Sequence, residues 1–386
     1  MATSFIPLSL ATNRQPNAGP QTMSEPLWEV DLRALGYSGF AQRREQWGLH
    51  FHINPICFSE NNSLIATFLT REAVTTLRQR DRSTEGLPLR LHAVFFDATA
   101  GKVRAVREWS ASEPRGGIVT TRGGRFVVVA PGRMLLYSPN LELLREFKLP
   151  TDQNPPFDLA GVYSSASGGS ILLQYNERGT YHFQWIDPDA LQPVRSWAEL
   201  LAWITVADNQ LVFSKEAYTK STGFVTEVLI RGVDGPSRTV CRSQNGQGDC
   251  DGSPQFVSNE ILALLMPHGV TLIRTDGARV FRTGFNQDDW TGREVLPSAN
   301  GRRFALAIWA HKGGSELFDV SSHSVLRRIV VFDIPSRQWV YVLNGKRQKI
   351  KTIAGLALSA DGSLMAILTD GVVKVYRLPE TPPGQQ

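Results

Sequence analysis

Along this chain, strand-length apolar runs are separated by tight polar turns, with alternating strands among them. One pattern recurs: an apolar strand, a tight polar corner, then a second and more hydrophobic strand. The clearest copy is Gly355-Leu356-Ala357-Leu358-Ser359-Ala360-Asp361-Gly362-Ser363-Leu364-Met365-Ala366-Ile367-Leu368. Two others run Val295 to Leu306 and Val119 to Val128, with weaker copies at Phe58 to Phe68, Tyr163 to Leu173, Val206 to Phe213 and Phe256 to Leu264. Asp-Gly and Asn-Gly at the corners supply the positive φ of a two-residue hairpin turn. The first apolar residue after each corner falls at Leu64, Phe126, Ile171, Leu211, Ile261, Phe304 and Leu364. The gaps of 62, 45, 40, 50, 43 and 60 residues fit propeller blades carrying loop insertions.

A second hairpin follows the first in Ala93 to Val103, Phe183 to Val194 and Ile329 to Val340, making four strands per unit. The last unit holds only three strands, and Leu27 to Leu32 is an orphan strand able to supply the fourth, closing the ring with no sheet edge open. The expected fold is therefore all-β: a single closed seven-bladed β-propeller of antiparallel blades over residues 27–378. Residues 1–26, rich in Ser, Thr, Pro, Asn and Gln, and residues 379–386 are expected to be disordered. No segment sustains a helical period.

These repeats, ending in Ser359-Ala360-Asp361-Gly362-Ser363-Leu364-Met365-Ala366-Ile367-Leu368-Thr369-Asp370-Gly371-Val372-Val373-Lys374-Val375-Tyr376-Arg377-Leu378-Pro379, resemble bacterial WD40-like and YVTN-like propellers over residues 27 to 378. The WD and GH dipeptides of eukaryotic WD40 blades are absent, so the resemblance implies architecture. It extends to a group of bacterial propellers with no assigned activity.

Propeller geometry then sorts the connections. If strands a to d run outward from the axis, the a–b and c–d turns leave one end, and the b–c loops and d–a crossovers leave the other. Here the a–b and c–d turns are short. The long segments are the crossovers 33–52, 148–158, 242–253, 284–293 and 344–351 and the b–c loops 70–89, 215–223 and 311–324. They share one face, where binding residues concentrate on a rigid scaffold.

On that face the segment 311–323 carries His311, Lys312, Glu316, Asp319 and His323. Arg71 and Glu72 of the first blade and Lys215 and Glu216 of the fourth are expected at matching points, forming a polar funnel for a charged ligand or a partner's loop. The opposing reading is a solvated loop whose Asp319 makes local turn hydrogen bonds. Trp290 is a candidate anchor for a partner, since aromatics dominate interface hot spots; it could equally pack beneath its loop.

Composition narrows the function classes. The 386 residues are 42% hydrophobic and 20% charged, ordinary for a globular protein. The net charge of +5 comes from 41 basic and 36 acidic residues that are scattered, so no nucleic-acid partner is expected. The one dense basic run, Lys346-Arg347-Gln348-Lys349-Ile350-Lys351, reads as a solvated loop. No stretch approaches the ~20 apolar residues that span a bilayer. Phe5 to Ala11 is a short apolar patch without a positive region before it, a weak export signal. Cys57 reads as a buried thiol, whereas Cys241 and Cys250 flank an eight-residue polar loop and are either bridged or free; a bridge would favour an exported protein.

Catalytic signatures are missing: there is no G-x-S-x-G elbow and no H-E-x-x-H helix. His50 and His52 alternate on one strand face and could hold a metal only if His311 or His323 joined them. Asn245 to Gly252 resembles a calcium loop but has Pro254 where the sixth-position glycine belongs, counting from Asp249. The leading expectation is a monomeric, non-enzymatic scaffold that needs no cofactor and binds a protein or peptide through its long-looped face. The alternative is a propeller enzyme or ligand binder of hydrolase, lyase or quinone-dependent type, for which Glu72, Glu216, Glu316 and Asp319 are the carboxylates placed near the axis.

Overall fold

In a computed structural model of the protein, the repeats fold as seven four-stranded antiparallel sheets. Described residues are 21–22, 25–36, 54–61, 63–71, 89–111, 116–130, 132–149, 158–177, 180–199, 202–219, 223–244, 250, 252–311, 324–350 and 353–380. In order a to d, blade 1 comprises Ile56–Phe58, Ser63–Arg71, Leu89–Asp97 and Val103–Ala111. Blade 2 comprises Gly117–Thr120, Phe126–Ala130, Arg133–Tyr137 and Leu143–Lys148. Blade 3 is Asp158–Ser164, Ile171–Glu177, Thr180–Asp187 and Gln192–Ala198, and blade 4 is Ala202–Ala207, Gln210–Thr219, Gly223–Gly232 and Ser237–Gln244. Ser253–Phe256, Ile261–Met266, Gly269–Arg274 and Arg279–Gly284 form blade 5. Blade 6 is Asp289–Pro297, Arg303–His311, Ser324–Asp333 and Gln338–Asn344. Blade 7 is Gly355–Leu358, Leu364–Thr369, Val372–Arg377 and, as its outermost strand, Trp28–Asp31 from the other end of the sequence.

Each b strand is buried on both faces over four or more successive residues, which explains its apolar run. In blade 2, Val127 and Val129 pack toward blade 3, while Phe126 and Val128 pack toward blade 1. Seven hydrophobic clusters result, one at each blade junction. One of them sets Leu64 and Val94 of blade 1 against Ala366 and Leu368 of blade 7. A fully buried side chain of this size contributes about 1.5–3 kcal/mol, so each junction is held by many such terms. The d strands lie outermost and alternate or are largely exposed, as Leu143–Lys148 shows.

The corners differ from the two-residue turns that the Asp-Gly and Asn-Gly pairs suggested. Leu358 pairs with Met365 across a wider loop in which the Leu364 amide donates to Ser359 Oγ at 2.9 Å. Arg303 donates likewise to Ser298 Oγ at 3.0 Å, and Ser170 to Ser165 Oγ at 3.1 Å. The serine caps the loop, and Gly362, at φ 73°, takes the left-handed position that closes it.

Gln21–Thr22, inside the stretch expected to lack structure, pairs in parallel with Tyr341 and Val342 on the outer edge of blade 6. No helix among the described residues is long and apolar enough to cross a membrane.

Candidate functional site

The antiparallel order gives the ring two unlike ends. At the first, which carries the a–b and c–d corners, the blades are bonded to one another. Asp208, in the a–b corner of blade 4, accepts from Ser165 Oγ at 2.9 Å and from Ser167 Oγ of blade 3, and pairs with Arg122 of blade 2. Its own amide donates to Asn259 Oδ1 of blade 5 at 3.1 Å. Burial raises the Asp208 pKa, but these hydroxyls and the Arg122 guanidinium outweigh it and hold the carboxyl below its usual range. Asn300 of blade 6 donates its amide to Ala360 O of blade 7 at 3.0 Å, and Gly123 of blade 2 donates to Glu60 of blade 1 at 2.5 Å. A cavity of 30 Å³ among these corners, lined by Phe58, Glu60, Thr121, Ser167, Pro297 and Ala360, has room for water but not for a sugar-sized ligand.

The second end carries the b–c and d–a connections. Arg71 and His311 are the last residues of their b strands, eighth counting from Leu64 and from Phe304. The equivalent residue of blade 4 is Tyr218, not Lys215, because strand b of blade 4 continues to Thr219 where a loop was expected. Lys215 therefore lies within the ladder, opposite Glu227. Its ammonium pairs with Glu199 at 2.9 Å, next to the outermost strand of blade 3, and sits over the Phe213 ring. Arg231 also pairs with Glu199, at 2.6 Å, and covers Trp197. Burial raises the Glu199 pKa, and the hydrogen bonds and charges of Lys215 and Arg231 reverse that and lower it. Lys215 thus joins blades 3 and 4, and the structure does not bring it together with Arg71 or His311 at one point. Glu216 is exposed beside it.

Tyr218 instead faces Phe224 across the b–c hairpin, with ring centroids 5.4 Å apart and the two residues 66% and 56% exposed. Neither aromatic stands out in the sequence, where Tyr218 falls inside, and Phe224 just beyond, the segment 215–223 expected as a loop.

Blade 6 holds the other concentration of polar chemistry at this end. Trp290 belongs to strand a rather than to a loop, opposite Trp309 in the ladder, and its ring meets His268 edge-on at 5.1 Å. His311 follows two residues after Trp309, so Trp290 and His311 do share one sheet end. Beside Trp290, the fully buried Asp289 carboxylate pairs with Arg327 at 2.6 Å and Arg328 at 2.8 Å. A bulge makes this possible: Leu326 pairs with Trp309 and Arg328 with Ile308, leaving Arg327 as the extra residue. The Asp289 carbonyl meets His268 Nδ1 at 2.8 Å.

Glu72, Lys312, Glu316, Asp319 and His323 lie outside the described residues, as do His50 and His52. Among the described residues, no three His, Cys, Asp or Glu side chains are grouped to hold a metal. Cys241 and Cys250 are bridged, with Cα atoms 5.8 Å apart. Cys57 Sγ lies 3.9 Å from the Ile118 carbonyl, and burial pushes its thiol up to about 12.

Neither a family model nor a curated protein matches the sequence. Solved structures do match in shape. A chain of the mitotic checkpoint complex crystal structure shares 11% identity at a TM-score of 0.51, covering 94% of this chain and 98% of its own. The Neurospora crassa Pan2 WD40 domain shares 11% identity at 0.52, covering 94% and 99%. Likeness at this identity establishes the fold alone: the chain is a seven-bladed β-propeller.

Proposed function

We propose that this chain is a non-enzymatic scaffold that binds a protein or peptide partner at the end carrying its b–c and d–a connections. The contrast between the two ends carries this reading. At one end, short a–b corners bond blade to blade through Asp208, Asn300 and Glu60. The other presents the exposed Tyr218–Phe224 pair and arginines anchored on Asp289. Exposed aromatics and arginines on rigid strands are the side chains that dominate protein interfaces.

The test is affinity capture from native extract with three proteins of matched melting temperature. These are the wild type, a Tyr218→Ser/Phe224→Ser variant, and a control carrying Lys102→Ala, Asn140→Ala and Asp234→Ala at the c–d corners. A partner held by wild type and control but lost by the aromatic variant is the expected outcome. Loss only in the control would refute the reading, as would capture that no variant changes.

A further inference from the structure

We infer, building on the loop-end reading above, that the blade 6 sector of that end is a docking patch for an acidic peptide segment of the partner. The Asp289 carboxylate is wholly buried and holds two guanidiniums, so the pair carries a net positive charge that Asp289 cannot cancel. Arg327 and Arg328 remain 43% and 32% exposed, and each uses a terminal nitrogen on Asp289. An arginine side chain has five N–H donors in a rigid fork; Arg328 Nε is buried, so on that residue the donors left for a second carboxylate are those of the terminal nitrogens.

The same sector gathers more positive charge. The Gly345 amide donates to the Arg327 carbonyl at 3.0 Å, seating the d–a crossover of blade 6 on the arginine pair. That crossover is closed by its own hydrogen bonds, from Lys349 N to Lys346 O at 3.2 Å and from Ile350 N to Gly345 O at 2.9 Å. Ile350 is buried beneath it, which turns Lys346, Arg347 and Lys349 outward, all exposed. None of the three has an ion-pair partner among the described residues. Among the described residues, Asp289 is the one acid paired with these five cations, through Arg327 and Arg328. The run that read as a solvated loop is fixed beside two anchored arginines.

Clustering selects the occupant. A nucleic-acid strand would need a basic stripe following many phosphates, whereas these cations are confined to one blade of a molecule with a net charge of only +5. A short acidic segment matches both the extent of the patch and its forked donors, and charge complementarity of this kind sets specificity and association rate.

The experiment measures fluorescence anisotropy of labelled decaglutamate, decaglutamine and a dodecathymidylate strand on the full chain, at low and at physiological salt. Two variants accompany it: Lys346→Glu/Arg347→Glu/Lys349→Glu, which alters only exposed positions, and Arg327→Gln, which leaves Arg328 to hold Asp289. Decaglutamate should bind about tenfold or more tighter than decaglutamine, weaken with salt, and lose about tenfold in the triple variant and severalfold in Arg327→Gln. Equal binding of the two peptides, unchanged binding by the triple variant, or preference for the oligonucleotide would each overturn the inference. If capture at the loop end succeeds while decaglutamate fails, only the acidic character of the partner is rejected. If decaglutamate binds this patch but the captured partner maps elsewhere, the loop-end reading fails instead.

Discussion

Single side chains divide into those that lock the ring and those that face outward, and their surroundings decide which. Asp208 is the clearest lock, since its carboxylate and amide reach blades 2, 3 and 5 from one corner of blade 4. Its carboxyl is held below the usual value, so its contribution is complete above about pH 4 and is lost as pH falls through the lowered value. Asp208→Asn is expected to cost about 2–3 kcal/mol at neutral pH, a size set by hydrogen bonds to a charged group. The gap to wild type in denaturant midpoints should close below pH 4. A gap independent of pH would show that the carboxylate is not what matters at that corner. None of this was legible in the sequence, because Asp208 and its partners are separated by 41 to 86 residues. The position of Lys215 was hidden for a local reason: nothing in Ser214-Lys215-Glu216 says that the strand continues to Thr219 and delivers the lysine to Glu199 of another blade.

At the scale of elements, the strands and their order were readable because each b strand is buried on two faces and so advertises itself as an apolar run. All seven post-corner residues, Leu64 to Leu364, lie in b strands, each as the first or second residue of its strand. Loop lengths were less readable, since strand 4b and strand 6a extend into stretches whose polar residues suggested loops. The N-terminal strand was legible only as a remainder, and its side chains show how it is held. Trp28 Nε1 donates to the Ala98 carbonyl at 2.8 Å, its ring meets Phe96 of blade 1 at 5.7 Å, and a Cβ on Gly101 would fall 2.7 Å from it. Trp28→Ala should therefore lower stability by about 2–4 kcal/mol, the cost of truncating a large packed side chain. Urea unfolding measures this, and an unchanged midpoint would mean that the strand adds nothing to the junction of blades 7 and 1.

At the scale of the whole molecule, the two ends are built differently. One uses Ser-capped corners and inter-blade ion pairs to fix the blades, and the other presents the exposed Tyr218–Phe224 pair and the arginines held on Asp289. That division follows from topology alone, which is why the sequence could place the long connections on one face but could not say what they meet. The assignment of binding to that end is tested most directly by hydrogen exchange of the chain with and without its captured partner. New protection is expected in peptides spanning 324–330, 344–350 and 214–226, with the corners 59–63, 165–170, 298–303 and 359–364 unchanged. Protection gained at those corners, with none at the loop end, would contradict it.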